Sequence, residues 1–261
     1  VDFIPRLIRG TMLYMMAPYD AGPALEEYRR TDRAVWVQEL ALTPRQRADL
    51  LAFVEWNARP ENRDYRYDYY RDNCSTRVRD ALDRVLAGGL RAVTAADTTS
   101  HTYRWHTRRL LQSVPAAYVG IQLVLGASAD RSLTEWEEMF LPIRLMEEIR
   151  TVRVPDGSGG TAPLVIRETQ LLETDRPPIP SEPPFALPWF LLAGVLWGGG
   201  ILLLGRREEG LRRRGLRPGW PGRLALVVLA GGWILVAAGS GLLLLGAWLF
   251  TDHVFWYRNL N

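Results

Sequence analysis

The chain has 261 residues, a net charge of +3 and one cysteine, and its 32 basic residues are all arginine. The lack of lysine excludes mechanisms that use a lysine base or a Schiff base, and a single cysteine excludes an internal disulfide. The small net charge, with no soluble face on which arginines and aromatic residues gather, argues against a nucleic-acid partner. There is no HExxH or CxxC motif, so we expect neither a bound metal nor another cofactor.

The first 174 residues predict a domain of mixed secondary structure. Residues 33–42 (RAVWVQELAL) alternate between two faces, which predicts a strand. Residues 43–46 (TPRQ) combine an N-cap threonine, a proline at the first helical position and a glutamine at the third. A helix is therefore predicted from Pro44 to about Asn57.

The second half of this domain predicts a helix and a hairpin. Leu133 to Arg150 has a helical pattern that Pro142 interrupts. Residues 151–154 and 164–166 flank the glycine-rich sequence PDGSGGTAP, which predicts a β-hairpin. No internal repeat is visible, so the expected fold class is α+β.

The only cysteine lies in RDNCSTRVRDALDRVL, at the start of a predicted helix. Asp72 or Asn73 is a good N-cap, and apolar residues recur at helical spacing down to Gly88 and Gly89. Cys74 then falls in the first turn, where free N–H groups and the helix macrodipole favour a thiolate and can hold an oxyanion. The alternative is that Cys74 is a small buried side chain, which is common for free cysteine.

Two apolar segments near the C-terminal end predict membrane spans. Neither carries a charge, and each is long enough to cross a hydrocarbon core of about 30 Å. The arginine-dense loop between them is predicted to be cytoplasmic, which places the first domain and the C-terminal tail outside. The expected boundaries are an extracytoplasmic domain at 1–174, a proline-rich tether at 175–184, spans at 185–205 and 224–250, the cytoplasmic loop at 206–223, and an outer tail at 251–261.

Several segments together carry a family resemblance. They are FIPRLIRGTMLY, YDYYRDNCSTRVRDALD, TYRWHTRRLL, IQLVLGASADRSLTEWEEMFLPIRL and TDHVFWYRNLN. The chain resembles the bacterial membrane family of Lnb, the lyso-form lipoprotein N-acyltransferase. The resemblance implies a permuted papain-like (NlpC-type) domain followed by transmembrane α-helices, located in the bacterial inner (cytoplasmic) membrane with the main domain facing the periplasm.

The same resemblance implies an activity and its residues. Cys74 would be the nucleophile and Asn73 its neighbour in the motif. The implied reaction moves an acyl chain from the diacylglyceryl group of a lipoprotein to the lipoprotein's N-terminal amine, which leaves the lyso form. The implied partners are therefore membrane lipid and lipoprotein substrates, with no nucleic acid and no metal.

The general base is the gap in this assignment. In the family a histidine lies in a short segment that precedes the region matching FIPRLIRG, so we expect the base upstream of Val1. The weaker alternatives are the three histidines of the chain. For His101 and His106 the structural alternative is a solvated helix face beside arginines, and for His253 it is anchoring at the membrane interface.

Two functions of other classes stay open. A papain-like hydrolase or amidase acting on peptidoglycan or peptides predicts a wet, open groove beside Cys74, whereas acyl transfer predicts an apolar one. A non-enzymatic envelope protein predicts that Cys74 serves packing alone.

Overall fold

The computed structural model describes residues 3–155, 159–217 and 219–256. Most of this part of the chain is helical, and the two longest helices come last. The helices are α1 (Phe3–Arg9), α2 (Ala21–Arg30), α3 (Pro44–Asn57), α4 (Cys74–Val85), α5 (Gly89–Thr94), α6 (Tyr103–Leu111), α7 (Pro115–Val124), α8 (Glu135–Glu138), α9 (Pro142–Thr151), α10 (Leu187–Arg213) and α11 (Trp220–Phe250), with a 3-10 turn at Ala127–Ala129.

The strands form antiparallel pairs. The strands are β1 (Leu13–Met15), β2 (Val35–Leu40), β3 (Asp64–Arg66), β4 (Arg153–Pro155), β5 (Thr161–Pro163) and β6 (Val165–Leu172). The three sheets of the described ranges are β1–β3, β2–β6 and β4–β5. The structure thus has mixed helices and strands, as expected for an α+β domain, and the papain-like arrangement stays a prediction.

Several predicted elements are confirmed. The strand predicted at 33–42 is β2, and the helix predicted from Pro44 is α3. Both hydrogen bonds of the α3 capping box are present. Pro142 interrupts the helical run predicted at Leu133–Arg150 and is the first residue of α9. Each of these features depends on residues within a few positions of one another, which explains why the sequence predicted them.

The second strand of the predicted hairpin was wrong. The partner of β4 is β5, and residues 164–166 instead lead into β6. Leu164 is fully buried; its N–H bonds the Val152 carbonyl and its carbonyl bonds the Ala41 N–H, at 2.8 and 2.7 Å. The chain therefore crosses here from one sheet to the other. Residues 156–158 of the glycine-rich turn lie outside the described residues.

Two apolar clusters build the core of the outer domain, the folded part of the chain that precedes α10. The first packs α4 and α5 against α8, α9 and the sheet residues that follow them. The second is aromatic and gathers Tyr70, Tyr103, Phe140 and Phe255. Phe255 lies five positions beyond the end of α11 and is 1% exposed. The chain that leaves α11 therefore returns directly into the core of the outer domain.

The two final helices are each long and apolar enough to cross a membrane. They extend beyond the predicted spans, because α10 continues through the arginine-rich segment to Arg213 and α11 already begins at Trp220. Charged residues continue a helix readily, so hydropathy marks only the apolar part. The Trp197 indole N–H donates to the Leu229 carbonyl at 2.9 Å. Trp197 therefore joins the two helices.

Candidate active site

Asn73 fixes the start of α4. Its side-chain oxygen accepts from the N–H groups of Ser75 and Thr76, at 2.8 and 3.0 Å. Its side-chain nitrogen donates to the carbonyls of Tyr69 and Phe140, both at 3.0 Å. Asn73 is 5% exposed. Because all four contacts hold the backbone, Asn73 positions the first turn of the helix.

Cys74 is the first residue of α4, and its thiol is exposed. The interpretation of Cys74 as a buried packing residue is therefore wrong. Ser75 and Thr76 give their N–H groups to the Asn73 cap, so they are not oxyanion donors in this arrangement. Within residues 3–155, 159–217 and 219–256, no hydrogen bond engages the Cys74 N–H. That N–H, one bond from the Cα that carries the thiol, is the donor that remains.

A cleft of about 820 Å³ opens beside Cys74. It lies between α3, α4 and the chain that follows β1. Most of the side chains that line it are apolar, and the charged ones gather at the start of α4. The lining residues are Met15, Met16, Ala17, Leu50, Phe53, Val54, Asn57, Tyr65, Arg71, Asp72, Cys74, Arg77, Val78, Asp80, Ala81 and Leu82.

Polar groups at the mouth of the cleft are paired with one another. Arg77 forms a bidentate pair with Asp72 at 2.5 and 2.7 Å, and its guanidinium lies over the Tyr65 ring at 4.1 Å. Burial, followed by electrostatic coupling to Cys74, raises the pKa of Tyr65, and the same two causes raise the pKa of Tyr67 to about 12. Both phenols therefore stay protonated at neutral pH, and both lie close enough to Cys74 to interact with it electrostatically.

A second cleft, of about 850 Å³, lies where α11 ends. Trp248 and Leu249 of the last turn of α11 form one wall, and residues 66–69, which include the end of β3, form another. This cleft and the Cys74 cleft share Arg71 as a lining residue.

His101 and His106 converge on Glu138, a residue that sequence reasoning missed. One Glu138 oxygen lies 2.7 Å from His101 Nδ1 and 3.1 Å from His106 Nε2, and it also accepts from Thr99 at 2.9 Å. The other Glu138 oxygen accepts from Arg144 at 2.9 Å. His106 and Glu138 are 1% and 0% exposed, so the expected solvated helix face was wrong for His106.

The electrostatics of this cluster keep Glu138 charged. Burial alone would raise the pKa of the carboxyl, but hydrogen bonds from His106 and Thr99 hold it at about 2. Burial lowers the pKa of His106. A neutral His106 that donates to an ionised Glu138 is consistent with both shifts.

His101, His106 and Glu138 offer donor atoms of the kinds that bind metals. These three atoms lie within 4.8 Å of one another. Their hydrogen bonds are, however, already satisfied within the cluster, and Arg109 approaches the remaining His106 nitrogen at 3.4 Å. Two arginines beside the carboxylate oppose a divalent cation. The arrangement is therefore a hydrogen-bond network that joins α6 to α8 and α9.

His253 lies where the chain leaves α11. It is 7% exposed, its Nε2 bonds the Leu7 carbonyl at 2.9 Å, and its ring contacts the Trp256 ring in a tilted arrangement, with the ring centroids 3.8 Å apart. Burial lowers the pKa of its imidazole. No histidine is among the described residues that line the Cys74 cleft. The three histidines therefore serve contacts elsewhere, and the base upstream of Val1 stays a prediction.

Gly10→Ala tests the contact between Gly10 and His253, which holds the chain that follows α11 in place. Gly10 has φ +71°, and a Cβ built there would lie 2.9 Å from the His253 ring. We expect a loss of about 1–3 kcal/mol of stability, seen as a lower thermal midpoint of the detergent-solubilised protein. Gly22→Ala is the control, since Gly22 has an ordinary φ and no atom within 4 Å of its Cβ position. Equal midpoints for the two variants would contradict the packing role of Gly10.

Comparison with known proteins gives one match. Residues 5–113 match the family model described as the Lnb N-terminal periplasmic domain. Neither the curated proteins nor the solved structures gave a match. The matched range runs from α1 to the end of α6 and contains both Asn73 and Cys74. Glu138, α7 and the two long apolar helices lie beyond it.

Proposed function

Over residues 5–113 the chain belongs to the Lnb N-terminal periplasmic domain family, and from this premise we propose a cysteine-dependent acyltransferase that acts on bacterial lipoproteins. With its two long apolar helices, it is a membrane protein with a periplasmic domain. The proposed reaction moves an acyl chain from the diacylglyceryl group to the N-terminal amine of the lipoprotein. The proposed location is the inner membrane, with the boundaries expected from the sequence.

One observation carries the proposal: the exposed Cys74 thiol opens on a mainly apolar cleft. The apolar side chains that line it offer an acyl chain a place out of water. A cleft of about 820 Å³ has room for a long acyl chain. A hydrolase of peptides or peptidoglycan was expected to present a wet groove instead, so the lining favours a lipid substrate.

The proposed first step forms an acyl-enzyme. A base removes the Cys74 proton, and the thiolate attacks the ester carbonyl, with the Cys74 N–H holding the oxyanion. A C–S bond forms, the ester C–O bond breaks, and the glyceryl oxygen leaves with the proton that the base had taken. The proposed base is a histidine upstream of Val1.

The second step transfers the acyl group to nitrogen. The N-terminal amine attacks the thioester, a C–N bond forms and the C–S bond breaks, and the amine proton returns to sulfur through the base. Because donor and acceptor belong to one membrane-bound lipoprotein, the effective concentration of the amine favours it over water. The product is a lyso-lipoprotein with an amide-linked chain.

Incubation of the membrane-reconstituted protein with a diacylglyceryl lipopeptide tests this function. Acyl transfer predicts a product of unchanged mass whose N-terminal fragment carries the acyl chain in tandem mass spectrometry. A lipopeptide with an acetylated N-terminus is the control and is expected to give no such product. A free fatty acid, or a cleaved peptide bond, from the unblocked lipopeptide would instead support a hydrolase.

Val78→Arg tests the acyl cleft. Val78 lies one helical turn after Cys74 on the same face of α4, lines the cleft and is 52% exposed. A charge there is expected to lower the rate of acyl transfer about tenfold to a hundredfold, because the acyl chain must pack against it. Val93→Arg is the matched control, since Val93 is equally exposed but lies on α5, outside the cleft lining. Equal rates for the two variants would argue against an acyl chain in this cleft.

A further inference from the structure

Helix α7 presents an apolar surface that the outer domain does not cover. Residues 110–129 contain no charged side chain. Val119 and Leu123, one helical turn apart on one face of α7, are 41% and 36% exposed, whereas Tyr118 is buried. A helix of this length measures about 15 Å, half the thickness of a hydrocarbon core of about 30 Å. Helix α7 is therefore apolar like a span but too short to be one.

Both ends of α7 lie beside the outer ends of the long apolar helices. Just past the end of α7, the Gly126 N–H donates to the Phe255 carbonyl at 2.8 Å, in the chain that leaves α11. Near its beginning, Arg108 donates to the Pro184 carbonyl at 2.9 Å, three residues before α10 begins, and to the Tyr118 hydroxyl at 3.1 Å. Between these points α7 packs directly against α11.

The apolar surface continues from α7 onto the last turns of α11. Leu245, Leu249 and Phe250 are 50%, 65% and 74% exposed. The end of α11 and the uncharged helix α7 therefore form one continuous apolar surface. An exposed apolar patch of this size marks an interaction site. Because the patch lies where α11 leaves the membrane, lipid is the partner that it would contact.

We propose that α7 is an interfacial helix that lies in the outer leaflet of the bilayer, with Val119 and Leu123 toward the acyl chains. Such helices lie with their apolar face about 5–10 Å into the boundary between head groups and acyl chains. The partner is lipid, and the contact docks the outer domain on the membrane. The segment at 175–184, expected to be a tether, is itself attached to α6, since Arg109 donates to the Pro180 carbonyl at 3.2 Å.

Depth-dependent fluorescence quenching tests the docking in the full chain. The native thiol is first removed with Cys74→Ser, which makes the experiment independent of acyl transfer. An NBD label is then placed by Val119→Cys, by Leu123→Cys or, as a control, by Val93→Cys on α5, which packs against α4 and α8. Each labelled protein is reconstituted into liposomes that contain phospholipids with a nitroxide on the upper acyl chain.

We expect blue-shifted emission at positions 119 and 123, with quenching at least about twofold greater than at position 93. The two α7 positions guard against one variant that fails to fold, and circular dichroism in detergent identifies such a variant. Quenching at both α7 positions that is no greater than at position 93, in folded protein, overturns the proposal.

Discussion

Cys74→Ser is expected to abolish conversion of a diacylated lipoprotein to its lyso form, by at least about a thousandfold or about 4 kcal/mol of transition-state stabilisation. Serine matches cysteine closely in size, and Cys74 is exposed, so folding has no reason to change. The hydroxyl ionises far less readily than the thiol, and an oxygen ester is less reactive toward an amine than a thioester. The measurement is tandem mass spectrometry of the lipopeptide product at equal amounts of protein.

The thermal midpoint of the variant is the control for this experiment. An unchanged midpoint together with lost conversion assigns the effect to chemistry. Conversion at the wild-type rate by a folded Cys74→Ser protein would exclude the thioester mechanism. In that case a nucleophile other than Cys74 carries out the transfer.

Glu138→Gln is expected to cause the largest loss of stability, about 3–5 kcal/mol. The substitution keeps the size of the side chain but removes the charge that Arg144 and the two histidines contact. Because Glu138 and His106 are both fully buried, His106 has no water to replace the carboxylate. For a domain of this size the thermal midpoint falls by roughly 10 °C or more.

Glu147→Gln is the matched control, because Glu147 pairs with the same Arg144 but its side chain is 40% exposed. An exposed pair of this kind contributes about 0–1 kcal/mol. Equal effects of the two substitutions would show that the buried network does not hold α6 to α8 and α9.

The same carboxylate predicts how stability depends on acid. The folded protein holds the pKa of Glu138 at about 2, below its ordinary value of 4.5. The unfolded chain therefore binds a proton first as the pH falls, so the stabilisation is complete above about pH 4.5 and is lost as the pH approaches 2. Glu138→Gln is expected to show a smaller loss of stability across this window than the wild type. An identical pH profile for both proteins would contradict the assignment.

Features set by short stretches of sequence could be predicted, and features set by tertiary contacts could not. The caps of α3 and α4 depend on neighbouring residues, so Asn73 and the position of Cys74 in the first turn followed from the sequence. The pairing of β2 with β6 joins residues more than 120 positions apart, and only the fold reveals it. The same holds for Glu138, since Thr99, His101 and His106 lie 32 to 39 positions upstream of it at spacings that match no motif.

Hydropathy gave the two long helices but only part of what surrounds them. The spans were predicted from uncharged length, yet α7 is only ten residues long, which is too short for that criterion. Its packing against α11 is a tertiary contact, and so is the bond from the Gly126 N–H to the Phe255 carbonyl just past its end. The chemistry has a similar limit: helix position indicated a reactive thiol, whereas the apolar cleft is built from α3, α4 and the segment after β1.

The acyl-enzyme is the most direct test of the central claim. Trypsin cuts after Arg71 and Arg77, which releases Cys74 in a six-residue peptide, residues 72–77, that holds the only thiol of the chain. The protein is incubated with the diacylglyceryl lipopeptide, quenched in acid, digested and analysed by mass spectrometry. The proposed mechanism predicts that this peptide gains the mass of one acyl chain, that hydroxylamine removes it, and that it is absent without substrate. Formation of the lyso product with an unmodified Cys74 peptide at every time point would contradict it.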